Sequence, residues 1–203
     1  ENDQAGVVRV YERDSFGQWK ILGMPIKGTL IGEKAGWSVS ISGDGSSVAV
    51  GAPKGGGSGS GAVVTYRSED GSNWTPYGSV LEGVAGDAFG YATSLSFDGN
   101  IVAVGAPKTM NPEGASNAGK ASVFYLNGSD WVTLSEKEVQ GISADDIDGS
   151  SIALSSQDGT ILVVGGKGRD VDGVSNVGHC RIYEYRSDWE LLHTIEGQTD
   201  RKS

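Results

Sequence analysis

Four tryptophans, Trp19, Trp74, Trp131 and Trp189, stand 55, 57 and 58 residues apart. A fixed period of this length restricts a chain to folds that repeat one supersecondary unit. Each tryptophan follows a glycine and an alternating run that ends in an aromatic residue: GVVRVYE from Gly6, GAVVTYR from Gly61, GKASVFY from Gly119 and GHCRIYEY from Gly178. Each is followed by a further glycine, Gly28, Gly83, Gly141 and Gly197, at spacings of 9, 9, 10 and 8. A second half-unit occurs three times, beginning at Gly36, Gly90 and Gly149. It reads as a β-hairpin turned by Asp44-Gly45, Asp98-Gly99 and Asp158-Gly159, because Asp-Gly supplies the positive φ that tight hairpins need. Its second arm, SVAVGA or NIVAVGA, is apolar in nearly every position, as expected of a strand covered on both faces.

Two hairpins per period make four antiparallel strands in about 57 residues, close to the upper range of propeller-blade repeats. The expected fold is therefore all-β, a β-propeller built of four-stranded antiparallel blades. The division is a half blade with its lead-in at 1–35 and blades at 36–89, 90–148 and 149–203. The competing architecture is a two-sheet sandwich of short strands, but a sandwich does not require the same glycine, tryptophan and Asp-Gly order in every period. Composition agrees with short strands: 33 glycines and 37% hydrophobic residues leave no material for long apolar helices. A net charge of −10 repels phosphate backbones and anionic lipid, which argues against nucleic acid and membrane surfaces as partners. No run approaches the roughly 20 apolar residues of a bilayer span. The single cysteine, Cys180, excludes an internal disulfide framework and is expected to be a small buried strand residue.

The second hairpin with its lead-in, DAFGYATSLSFDGNIVAVGAP from Asp87 to Pro107, holds Phe89-Gly90 followed by Gly105-Ala106-Pro107. This resembles the FG-GAP repeat of the seven-bladed propeller in integrin alpha subunits and related extracellular proteins. The first copy keeps Gly51-Ala52-Pro53 but has Ala35-Gly36, and the third has Asp148-Gly149 with Gly165-Gly166. The resemblance implies extracellular or lumenal recognition and adhesion through loops on one propeller face. Many members of that family bind calcium through an Asp-x-Asp-x-Asp-Gly loop. Here SGDGS from Ser42, SFDGN from Ser96 and SSQDGT from Ser155 hold one aspartate each, too few oxygens for the six to eight ligands calcium takes. They are read as turns, and neither calcium nor any other cofactor is expected. Seven blades need about twice this length, and the segment opens in mid-blade and stops at a lead-in, so it is expected to be part of a longer chain from which any leader has been removed.

The longest variable segments are the mid-blade loops, beginning at Lys54, Lys108 and Lys167. As connections they tolerate insertion; as a ligand face they offer Lys54, Lys108, Asn111, Lys167, Asp170 and Asp172 as candidate binding residues. Two sequons, Asn73-Trp74-Thr75 and Asn127-Gly128-Ser129, share one place in the repeat and offer glycosylation sites on a secretory route. The four periodic tryptophans, with Tyr11, Tyr66, Phe124 and Tyr183, are expected to pack between blades, because one aromatic recurring at one blade position is a packing signature. Catalytic signatures are missing: His179 and His193 lie in or beside strands, and the acid pair Asp145-Asp146 sits in a lead-in loop. The expected function is non-enzymatic recognition of a protein or glycan; the alternative is a structural subunit whose blade edges are buried against neighbouring chains.

Overall fold

Each Asp-Gly pair closes its hairpin through one recurring set of hydrogen bonds. Ser42 Oγ donates to Asp44 Oδ1 at 2.6 Å and the Ser46 amide donates to the same oxygen at 2.9 Å. Ser96 and the Asn100 amide do this for Asp98 at 2.7 and 3.0 Å, and Ser155 and the Thr160 amide for Asp158 at 2.9 and 3.1 Å. The lone aspartate is thus spent on its own turn. The computed structural model describes residues 4–30, 32–155, 157–170 and 174–198.

Apart from one 3-10 turn at Gly57–Gly59, the described regular structure is all strand. Sheet I is the pair β1 (Val7–Arg13) and β2 (Trp19–Lys27). Sheet II has the order β3 (Ser38–Ile41), β4 (Ser47–Ala52), β5 (Ala62–Arg67) and β6 (Thr75–Glu82). Sheet III runs β7 (Ala92–Leu95), β8 (Ile101–Ala106), β9 (Lys120–Asn127) and β10 (Asp130–Thr133), with β11 (Val139–Gln140) also paired to β9. Sheet IV runs β12 (Asp148–Leu154), β13 (Ile161–Gly166), β14 (His179–Tyr185) and β15 (Trp189–Glu196). Among the described residues every ladder is antiparallel between sequence neighbours, β11 apart, and no sheet closes on itself as a barrel.

The core lies between consecutive sheets as three separate clusters. Val8, Ile26, Val48 and Val50 join sheets I and II; Val63, Phe89, Val102, Val104 and Trp131 join II and III; Ala103, Val123, Leu162, Val164 and Trp189 join III and IV. This is the nearest-neighbour packing of a repeat protein. The first strands are tied directly: Ser40 Oγ accepts from the Leu95 amide at 3.0 Å, and Ser94 Oγ accepts from the Leu154 amide at 3.0 Å. Behind them, parallel bridges join Gly6 to Ala35, Gly61 to Phe89 and Gly119 to Asp148. A Cβ on Gly61 would lie 2.2 Å from the Phe89 carbonyl oxygen, so the bridge demands glycine there.

Three of the four periodic tryptophans, Trp74, Trp131 and Trp189, pack back onto the preceding sheet. Trp131 is 7% exposed and donates its indole N–H to Thr65 Oγ1 at 3.0 Å; Trp189 is 4% exposed; Trp74 is half-buried and donates to the Leu22 carbonyl at 3.0 Å. Trp19 departs from the expectation at 69% exposed, and Tyr11 is also exposed, because no described sheet precedes sheet I. The other end shows the same physics. Val63 and Ala121 are buried under the next sheet, whereas their counterpart Cys180 on β14 is only half-buried, which corrects the expectation of a buried cysteine. Strand β4 is buried at every residue while β13 alternates, since only one of its faces is covered by a described sheet.

Candidate functional site

Two kinds of turn recur at one end of the sheets and bring their side chains together. In the lead-in, the Trp37 amide donates to the Lys34 carbonyl at 3.0 Å and the Tyr91 amide to the Ala88 carbonyl at 3.2 Å. Each is a four-residue turn with glycine third, Gly36 at φ +85° and Gly90 at φ +82°, which fixes where the aromatic fourth residue emerges. Lys34, Ala88 and Ile147 share a positive φ at the turn's first position, so this conformation belongs to the repeat and not to one site. After the second strand, the Gly55 amide donates to Ala52 and the Thr109 amide to Ala106, at 2.8 and 3.3 Å. Pro53 and Pro107 sit second in these turns, where their fixed φ is favoured, and Lys54 and Lys108 sit third.

These turns of sheets II and III enclose a cleft of about 290 Å3 lined by Lys34, Trp37, Pro53, Lys54, Tyr91 and Lys108, among others. Trp37 and Tyr91 form its apolar corner, with ring centroids 5.4 Å apart and planes inclined by 53°. The Lys34 ammonium lies 5.1 Å from the Trp37 ring centroid, within cation–π range. Trp37 is 49% exposed, so a ring face remains open to a ligand. No acidic side chain among the described residues lines the cleft. Among the described residues, no carboxylate lies within salt-bridge distance of Lys34, Lys54 or Lys108. Three of the chain's nine lysines thus converge without counter-ions in a protein of net charge −10, and such a patch focuses a positive potential that an anion would relieve.

The site joins Lys54 and Lys108 from the sequence reading with Lys34, Trp37 and Tyr91, which that reading did not single out. The missed signal is an aromatic directly after the X-Gly pair in two of three copies: Gly36-Trp37 and Gly90-Tyr91, against Gly149-Ser150. Lys167 is exposed after β13 but lacks the preceding proline and the paired aromatics. Asn111 is corrected from loop ligand to structural residue: it is buried, its amide donates to the Gly141 and Ile142 carbonyls at 3.2 and 3.1 Å, and its oxygen accepts from the Ala115 amide. Asp170 accepts from the Asn176 amide at 2.8 Å and so braces its own loop, while Asp172 lies outside the described residues. Asn73 and Asn127 are both exposed, in the hairpins joining the third and fourth strands of sheets II and III.

A second polar group, at the start of sheet IV, is a buried ion cluster. Asp148 stands where sheet III has Phe89 and is fully buried, bonded to Arg181 and 2.7 Å from His179 Nε2. Asp146 meets Arg181 at 3.3 Å and Arg169 at 3.6 Å, and also accepts from the Ile142 and Ser143 amides. It is therefore a buried ion-cluster member, not an accessible general acid or base. Asp145 accepts from Asn117 Nδ2 at 2.9 Å. Burial pushes the Cys180 thiol above its usual range, the direction opposite to that of an activated thiolate. A larger hollow of about 750 Å3 near Trp189 is lined by Glu113, Glu136 and Glu138, but Glu138 is committed to Lys120 and Ser122 and Trp189 to the core.

No protein-family model matches the chain, and no curated protein is detectably similar in sequence. Among solved structures, a crystal structure of Sqt1 from Saccharomyces cerevisiae aligns at 14% identity with a TM-score of 0.47, over 81% of this chain and 36% of that one. The chain thus spans about a third of that protein's length, and the functional reading rests on the chain's own geometry.

Proposed function

We propose that the sheets are consecutive blades of a β-propeller, and that the protein is a non-enzymatic recognition module of an extracellular or lumenal compartment, binding a glycan or protein partner on one face. The all-β architecture, the four-stranded antiparallel sheets and the resemblance to FG-GAP repeats support the fold. The observation that carries the function is the cleft at Trp37 and Tyr91, where open ring faces and uncompensated lysines meet on loops held by a rigid repeat. A secretory route would make Asn73 and Asn127 glycosylation acceptors, detected as a mass loss on enzymatic deglycosylation of the native protein.

The test is a printed array of diverse glycans and secreted-protein ectodomains, probed with the wild-type chain and with Lys54→Gln/Lys108→Gln. Binding to a limited set, lost in the variant while its melting temperature is unchanged, is expected. Binding that ignores the variant, or none at all, contradicts the reading. A second reading, a structural subunit, is favoured by the apolar side chains on the outermost sheets: Tyr11, Trp19 and Ile21 on sheet I, and Leu191, Leu192 and Ile195 on β15 are all exposed. It requires concentration-dependent assembly by sedimentation, whereas the first does not.

A further inference from the structure

We infer that the cleft between Trp37 and Tyr91 is the subsite for one acidic sugar residue, a pyranose ring bearing a carboxylate or a sulfate; this rests on the reading of the chain as a recognition module. The volume of about 290 Å3 lies at the small end of ligand pockets and suits a single ring. A sugar ring has an apolar face of C–H groups that stacks on an exposed indole, and a polar rim that needs donors at its edge. Trp37 and Tyr91 supply the stacking corner, and the ammonium groups of Lys34, Lys54 and Lys108 supply donors of one charge.

An extended acidic peptide fits less well, because peptide capture by strand addition needs free backbone groups. Here the amides around the cleft are used internally: Gly36 donates to Gly51, Trp37 to Lys34, Gly90 and Tyr91 to Gly105, Gly55 to Ala52 and Lys108 to Asp87. Side chains alone remain to recognise the ligand, and flexible lysines reach an anion on a ring without demanding a fixed chain direction.

The repeat provides an internal control. At the next junction, between sheets III and IV, Ala88 stands in place of Lys34 and Ser150 in place of the second aromatic, leaving Tyr91, Lys108 and Lys167. The same backbone turn exists there, with the Ser150 amide donating to the Ile147 carbonyl at 3.3 Å, but with two lysines in place of three and without the aromatic corner. The cleft of sheets II and III is therefore a property of its side chains and not of the repeat.

The test is calorimetric titration of the whole chain with four probes: tetragalacturonate, a sulfated galactose tetrasaccharide, its neutral galactose counterpart and a tetraglutamate peptide. Each is repeated on Trp37→Ala, on Lys54→Gln/Lys108→Gln and on Lys167→Gln, with thermal melting to confirm folding. At least one acidic oligosaccharide should bind about tenfold or more tighter than the neutral one, and Trp37→Ala and the double variant should each weaken it by about tenfold or more. Lys167→Gln should leave it within about twofold, and raising salt should weaken it. The two acidic probes separate a carboxylate from a sulfate as the source of charge. Equal binding of the neutral tetrasaccharide overturns the acidic assignment while the recognition reading stands. Tighter binding of tetraglutamate reassigns the cleft to acidic protein segments. No binding of any probe overturns the inference, and the recognition reading falls with it only if the broad array is also blank.

Discussion

Trp131 and Trp19 occupy the same place in the repeat and differ in what faces them. Trp131 fills the interface between sheets II and III and donates to Thr65, whose hydroxyl also donates to the Tyr77 carbonyl, so Trp131→Ala should cost about 3–5 kcal/mol, chiefly through cavity formation. Trp19→Ala, at a site with no described neighbouring sheet, should stay within about 0.5 kcal/mol. Chemical denaturation of both variants measures the contrast. The turn aspartates make a second residue-scale prediction. In Asp44 and Asp98 partial burial raises the carboxyl pKa, but hydrogen bonds from Ser42 and Ser46, and from Asn100 and Ser96, outweigh it and hold the pKa below the ordinary value. In Asp158 the Thr160 amide leads the same lowering. A folded pKa below the unfolded one gives stability that is present above the unfolded value, about 3.9, and is lost as pH falls through the folded value. Thermal melts should therefore hold steady from neutral pH towards 5 and decline below about 4, and Asp98→Asn should flatten that acid limb.

At the scale of elements, sheet IV begins on a buried charge where sheet III begins on a phenylalanine. Asp148→Asn removes one of the two carboxylates that face Arg181 and leaves Asp146 at 3.3 Å, so it should destabilise by less than the roughly 3–5 kcal/mol of a fully broken buried pair. Asp148→Phe with Arg181→Ser, which reinstates the residue types of Phe89 and Ser122, should recover more than half of that loss, since a packed apolar replacement avoids the desolvation cost. Equilibrium unfolding of the single and double variants checks both. The strands and turns themselves were legible, because alternation, the glycines flanking each run and the Asp-Gly pairs are local signals. The ion cluster was not, since it joins Asp146 and Asp148 to His179 and Arg181 across more than 30 residues and two strands. Nor was the cleft: Lys54 and Lys108 stood out as loop starts, but their meeting with Lys34, Trp37 and Tyr91 depends on how sheet II faces sheet III. Trp37 also lay outside the 55–58 residue ruler, which drew attention to the four tryptophans that serve packing.

For the whole molecule, three separate interfaces of one kind make stability a sum of neighbouring contacts. Function is then placed by variation on a constant frame: the lead-in and post-strand turns repeat, and among the described residues the junction of sheets II and III alone carries two aromatics with three uncompensated lysines. The most direct test of recognition at that junction is hydrogen–deuterium exchange of the whole chain with and without saturating tetragalacturonate or its sulfated counterpart. The account predicts slowed exchange confined to residues 32–37, 53–55, 86–91 and 107–109. Protection spread over β1, β2 and β15 instead, or no change at the cleft, would contradict it.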